Sequence, residues 1–178
     1  MAVALNATAA ALLGLLHERP MTGWDLLTAA EQRIGNFWTL TQSQVYRELA
    51  RMTETGLVTV GEPGPRDRKP YTITRSGRRA FVDWIVDDPA RDQIRVPLLL
   101  TIQFSDHLPP GRLGEIIAAQ RVVHADLLAE YRMYEKALAR APGEASRLAT
   151  LRFGIRHEQA VLAWFDELPA LLGQDLAP

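Results

Sequence analysis

Thr41-Gln42-Ser43-Gln44-Val45-Tyr46-Arg47-Glu48-Leu49-Ala50-Arg51-Met52-Thr53-Glu54-Thr55-Gly56-Leu57-Val58-Thr59-Val60 is the stretch on which the fold turns. Thr41, with Gln44 three positions on, forms a capping-box pattern. Gly56 is a helix-ending residue, and the β-branched run after it predicts a short strand. At 100° per residue, Leu49 and Met52 fall within about 40° of Val45, which makes these three the buried stripe of the helix. Ser43, Arg47, Ala50 and Glu54 lie opposite, with Tyr46 and Arg51 on the flanks. The first half of the helix therefore offers Gln42, Ser43, Gln44, Tyr46 and Arg47 to a partner. Arg and Gln can pair bidentately with guanine and adenine edges, and Ser, Gln and Tyr can bind phosphate. An ordinary solvated face has the same composition, so the helix alone leaves both readings open.

Upstream, Asn6 or Thr8 can cap a helix to about His17, which Arg19-Pro20 stops. Thr22 with Asp25 opens a second helix, ended near Ile34 by Gly35-Asn36. Downstream, Tyr71-Thr72-Ile73-Thr74 predicts a second strand. The turn-rich segment Glu62-Pro63-Gly64-Pro65-Arg66-Asp67-Arg68-Lys69-Pro70 joins it to the first as a hairpin with a long basic tip. Thr74 then caps a helix that Asp87-Asp88-Pro89 breaks. Three helices followed by a two-stranded wing is the element order of a winged helix-turn-helix.

The second half shows only helical periodicity. A short apolar piece follows Pro97. A long amphipathic stretch from about 110 to 140 carries Leu113, Ile117, Val123 or His124, Leu127, Tyr131, Tyr134 and Leu138 at helical steps. After Ala141-Pro142-Gly143, a second long helix to about Leu172 carries Leu148, Leu151, Ile155, Leu162 and Phe165, and Pro169 is expected to kink or nearly end it. Its apolar face is broader than one helix can cover, which suggests a dimer seam. The expected fold is mainly α, with a winged-helix domain at 1–90 and a helical domain at 91–178.

Charge separates the two readings of the helix face. The 178 residues carry 20 Lys and Arg against 21 Asp and Glu, a formal net charge of −1. That total hides its distribution. Six basic residues (Arg66, Arg68, Lys69, Arg75, Arg78, Arg79) face one acid, Asp67, between positions 66 and 79, whereas positions 80–178 hold ten basic and fourteen acidic residues. A basic wing tip beside a polar helix is the electrostatic footprint of nucleic-acid backbone binding. Arg66, Arg68 and Lys69 are the wing candidates for phosphate or minor-groove contact, and Arg51 joins the helix candidates.

As a set, these segments resemble the PadR family of transcriptional regulators. The resemblance rests on Ala11-Leu12-Leu13-Gly14-Leu15-Leu16, Met21-Thr22-Gly23-Trp24-Asp25-Leu26, Gln44-Val45-Tyr46-Arg47-Glu48-Leu49 with Gly56-Leu57-Val58, and Tyr71-Thr72-Ile73-Thr74 with Gly77-Arg78-Arg79-Ala80. It covers about the first 87 residues in order and continues more weakly through Leu151-Arg152-Phe153-Gly154 and Ala163-Trp164-Phe165. It implies the third helix in the major groove, the wing on the flanking backbone, a homodimer built through C-terminal helices on a palindromic double-stranded DNA operator, and repression lifted by a small-molecule effector. Trp24 stands where the family usually has Tyr, and Arg47 where many members have Pro, so operator sequence does not carry over. MarR-like regulators place dimerising helices on both sides of the winged helix, whereas here the long helices follow the wing.

Other chemistries find little support. With no cysteine there is no disulfide framework, zinc ribbon or thiol nucleophile. His157-Glu158 lacks a second His at zinc-helix spacing, no glycine-rich phosphate loop appears, and neighbouring pairs such as Asp166-Glu167 face different sides of a helix. No enzyme, metal or cofactor is expected. The apolar run Leu5–Leu16 has no basic segment before it and Glu18-Arg19-Pro20 after it, so it reads as a helix of the fold and not an export signal. No apolar run is long enough to span a membrane, and a cytoplasmic protein is expected. The four Trp (24, 38, 84 and 164) read first as packing anchors. Trp84, then Phe81, are the candidates for contact with a planar aromatic effector, since the family can hold such ligands between protomers. A winged helix used only for protein contacts is the alternative.

Overall fold

The computed structural model describes residues 5–64, 68–87 and 95–173. The chain divides into two compact units, Met1–Ala90 and Arg91–Pro178.

The first unit is built around α1 (Ala7–Leu16), whose Ala9, Ala10, Leu12, Leu13, Leu15 and Leu16 are all buried. A helix apolar on nearly every side belongs in the middle of a core. Asn6, not Thr8, is its cap. The Asn6 Oδ1 accepts the Ala9 N–H (2.8 Å) while Nδ2 donates to Glu48 Oε1 (3.0 Å), so both ends of the amide are used. The two expected capping boxes form at the starts of α2 (Gly23–Ile34) and α3 (Gln42–Glu54). Val45, Leu49 and Met52 are buried as the periodicity requires, against Leu12, Leu13, Leu16, Met21 and Leu26. Glu48 is buried too, which the stripe did not foretell, and its Oε2 lies 3.1 Å from Arg51 Nη2.

The wing hairpin pairs β2 (Val58–Val60) with β3 (Pro70–Ile73), Val58 opposite Ile73 and Val60 opposite Tyr71. The two-stranded wing forms as expected, and the sheet holds one strand more. A third strand, β1 (Met21–Thr22), pairs antiparallel with the other edge of β3, giving the order β1-β3-β2. Two residues, the second of them the helix cap Thr22, are too few to show alternation, so only the pairing partner defines this strand.

Thr74 fastens the next helix, α4 (Arg75–Val86), to the wing. Its hydroxyl accepts the Gly77 N–H (3.0 Å) and donates to the Gly56 carbonyl (2.8 Å). Gly77 sits so close to β2 that a Cβ there would lie 2.2 Å from the Leu57 carbonyl oxygen and 2.9 Å from Ile73 Cγ1. Gly77→Ala must therefore push α4 off the strand. The expected cost is about 1–3 kcal/mol or more, against the near-neutral or favourable effect of Gly→Ala inside an uncrowded helix. Urea denaturation of the two chains checks this, and equal midpoints would refute the close packing.

In the second unit, α5 (Pro97–Gln103) and one 3₁₀ turn (Ser105–His107) precede two long helices, α6 (Arg112–Leu138) and α7 (Ala145–Leu172). The polar contacts Arg121–Asp166 (2.7 Å), His124–Glu158 (2.5 Å) and Arg152–Glu135 (2.8 Å) run up one helix and down the other, so the hairpin is antiparallel. Leu113, Ile117, Phe165 and Leu168 form one apolar cluster, and Leu128, Leu151 and Ile155 a second, with Leu162 touching both. Of the alternatives Val123 and His124, His124 is the one that faces inward. The inner stripe of α6 departs from expectation at Leu128, which is buried, and at Tyr134, which is exposed. The packing against α7 chose between faces that the α6 sequence leaves nearly equivalent. α7 runs three residues past Pro169 and ends at Gly173, whose φ is +60°. Pro169 lacks the N–H that would bond four residues back, and the helix stops within one turn of it, so the proline nearly ends it as expected.

Candidate nucleic-acid interface

The capping box aims the exposed half of α3 outward from the core. Gln42, Ser43, Tyr46 and Arg47 are exposed. Gln44 is half-buried, and its Oε1 accepts from both the Thr41 N–H (2.9 Å) and the Thr41 hydroxyl (3.0 Å). Bidentate adenine recognition needs both ends of the amide, so with the box closed only the Gln44 amino group is left to give. Arg51 is held by Glu48. Of the six predicted helix residues, then, four are exposed, with Ser43 Oγ 3.1 Å from Thr41 Oγ1, and Gln44 and Arg51 have structural work already.

The wing comes to the start of α2. Trp24, expected as a packing anchor, is instead 53% exposed, with the Arg68 guanidinium 5.6 Å from its ring centroid. That cation–π contact holds the returning arm of the wing against the helix-turn-helix, and Lys69 beside it is exposed. Tyr46 packs its ring over Gly23, where a Cβ would meet it at 2.7 Å. Burial, reinforced by Tyr46 nearby, raises the Tyr71 hydroxyl above its ordinary value. Tyr46 therefore links α3 to the start of α2. The Thr22 N–H and then the Thr22 hydroxyl hold the Asp25 carboxyl below the usual range, helped by the charges of Arg19 and Arg68. Arg66 lies outside the described residues. Sequence reasoning missed Trp24. Its place immediately after the helix cap, opening the helix-turn-helix, is the signal that could have found it.

The effector candidates part company. Phe81 packs beside Gly14 and His17, its ring centroid 4.8 Å from the imidazole, as part of the first unit's core. Trp84 is partly exposed on α4 among Val82, Ile85 and Val86, all exposed. Among the described residues, no helix is long and apolar enough to cross a membrane, and no group of three or more His, Asp or Glu is placed to hold a metal ion.

A three-helix core, a hairpin wing and a polar, Arg-bearing face on the third helix define a winged-helix protein of the DNA-binding type. Residues 12–83 match the transcriptional regulator PadR-like family, and residues 94–173 match the virulence activator alpha C-terminal family. The first unit is thus similar to the PadR-like transcriptional regulators. The negative transcriptional regulator PadR of Bacillus subtilis is 25% identical to it, over 93% of this chain and 97% of the relative. The virulence activator AphA of Vibrio cholerae superposes with a TM-score of 0.73 at 27% identity, over 94% and 98% of the two chains. Bacillus subtilis PadR shares the fold in its complex with operator DNA (TM-score 0.77, 21% identity, 95% and 99% covered) and in its complex with p-coumaric acid (TM-score 0.67, 21% identity, 97% and 100% covered). These relatives are regulators, not enzymes.

Proposed function

We propose that this chain is a homodimeric, sequence-specific DNA-binding repressor, relieved by a small-molecule effector. The observation that carries the reading is the convergence of the exposed polar face of α3 with the start of α2 and the Arg68-Lys69 arm of the wing. In this reading α3 enters the major groove. Arg47 and Gln42 reach base edges, and Ser43, Tyr46 and the Gln44 amino group reach bases or phosphates. Arg66, Arg68 and Lys69 neutralise backbone at the wing, and Arg51 buttresses α3 through Glu48. The Bacillus subtilis relative is described as a negative regulator and has been crystallised on its operator and with p-coumaric acid, which supports both halves of the proposal.

Dimerisation is supported by apolar side chains left on the outer side of α6. Val122 and Met133, like Val123 and Tyr134, are exposed and eleven residues apart, which returns to the same helix face. A two-fold dimer implies a palindromic operator with half-sites about one turn, or a multiple of it, apart. The protein acts in the cytoplasm with its DNA, catalyses no reaction and needs no cofactor.

The test is a titration of the wild-type chain against its own upstream region at 50 and 200 mM salt. Six or more phosphate contacts per dimer should lower affinity at least about a thousandfold between the two. Binding that is absent, or independent of salt, on both that region and selected random DNA refutes the proposal.

A further inference from the structure

Two glutamines stand at the start of α3, and the structure gives them different chemistry. Gln42 is exposed, and no described residue ties its amide. Gln44 is half-buried and folds back over the helix start. There its Oε1 takes two hydrogen bonds from Thr41, one from the N–H at 2.9 Å and one from the hydroxyl at 3.0 Å. A backbone N–H can only donate, so the amide oxygen and not the nitrogen must face it. The Thr41 hydroxyl oxygen accepts the Gln44 N–H at 3.3 Å. With its one hydrogen given to Gln44, it also accepts from Ser43 Oγ, 3.1 Å away. Both lone pairs of the Gln44 amide oxygen are thus occupied. Its Nε2 carries two hydrogens and has no acceptor among the described residues.

One turn on, Arg47 is exposed and lies about 60° from Gln44 around the helix axis, so the two share one edge of α3. A guanidinium has five N–H donors and no acceptor. The edge formed by Gln44 and Arg47 therefore offers hydrogens and takes none. In the major groove guanine shows two acceptors, N7 and O6, and thymine shows O4, whereas adenine and cytosine each put forward an amino group. Such an amino group opposite Gln44 Nε2 would set donor against donor.

We propose that Gln44 is a specificity-determining residue that selects guanine and rejects adenine, because the capping box has consumed the acceptor that adenine recognition needs. Nε2 donates to O6 or N7 of a guanine neighbouring the base pair that Arg47 meets. The two hydrogen bonds that start the recognition helix thereby set its base preference. Gln42, which keeps both ends of its amide, retains the ordinary glutamine preference for adenine. The inference rests on the reading of α3 as a major-groove helix and goes beyond it by naming the base.

The test uses the full chain to select duplexes from a randomised library, then measures affinity for duplexes that differ at one base pair. At one base pair per half-site the wild type should prefer guanine over adenine at least about tenfold. Gln44→Glu can keep both bonds to Thr41, since glutamate is a usual capping-box partner, but it has no hydrogen to give. In that variant the ratio should fall to within about twofold or reverse, with preferences at other base pairs unchanged. Its added negative charge weakens binding to every duplex and cancels in the ratio. Gln44→Lys, a donor without an acceptor, should keep guanine at the same base pair. At that position 7-deazaguanine or 2-aminopurine, which lack N7 and O6 respectively, should in at least one case weaken the wild type about threefold or more and leave Gln44→Glu unaffected. If Gln44→Glu does not fold, the lysine variant and a scan of both analogues through the wild-type operator decide. That scan must find at least two sensitive guanines per half-site, one for Gln44 and one for Arg47. A guanine preference that survives in folded Gln44→Glu overturns the proposal, as does its loss in Gln44→Lys or indifference to both analogues. A library from which the wild type enriches no sequence refutes the DNA reading and this inference with it. An enriched operator whose base preferences ignore Gln44→Glu removes this inference alone.

Discussion

Replacing Arg66, Arg68 and Lys69 together by Ala is expected to weaken operator binding on the order of a hundredfold at moderate salt, and to flatten its salt dependence. Each neutralised phosphate contributes about 0.9 to the slope of log K against log salt, so six cations per dimer account for about five. The change in slope is the more diagnostic readout. A variant that had lost base recognition would keep the wild-type slope, and one that had unfolded would lose binding at every salt. Within the triple substitution Arg68 has a second role, because its guanidinium lies over Trp24 and fixes the arm of the wing at the start of α2. Lys at position 68 keeps the charge but gives up the planar stack, and should recover only part of the affinity. If the triple variant matches the wild type in affinity and slope, the wing does not touch DNA, whatever the fold.

Leu49→Ala has the largest expected effect on stability. Leu49 is fully buried at the centre of the first unit's core, and removing its isobutyl group loses transfer free energy and leaves a cavity that rigid neighbours cannot fill. The expected loss is about 2–5 kcal/mol. In hydrogen exchange that corresponds to protection of the α1 and α3 amides falling by roughly thirty- to several-thousand-fold. Arg47→Ala, two positions earlier and exposed, is the matched control. It should change stability by no more than about 0.5 kcal/mol while weakening DNA binding. A Leu49→Ala protein that keeps wild-type protection would mean that α3 is not seated through this stripe.

The legible part of this protein was legible for local reasons. Capping boxes act across three residues, and both were readable as Thr22 with Asp25 and Thr41 with Gln44. The stripe Val45, Leu49 and Met52 needs only the helical period, and the basic wing needs only a count of charges along the chain. What stayed hidden depends on partners distant in sequence. Gln44 looks like an adenine reader until its oxygen is seen to be spent on Thr41. Trp24 looks like a core residue until Arg68, forty-four positions later, is found across its ring. His124 and Val123 are adjacent candidates for one face of α6, and Glu158 on α7 settles which turns inward. β1 is two residues long and exists only because β3 offers it an edge.

By itself, then, the sequence determined the order of the elements, the inner face of α3 and the uneven placement of charge, since each follows from spacing within a few turns of chain. Only the tertiary structure decided which polar residues remain available to a partner. That depends on hydrogen bonds and ring contacts closed between segments whose separation along the chain carries no periodic signal.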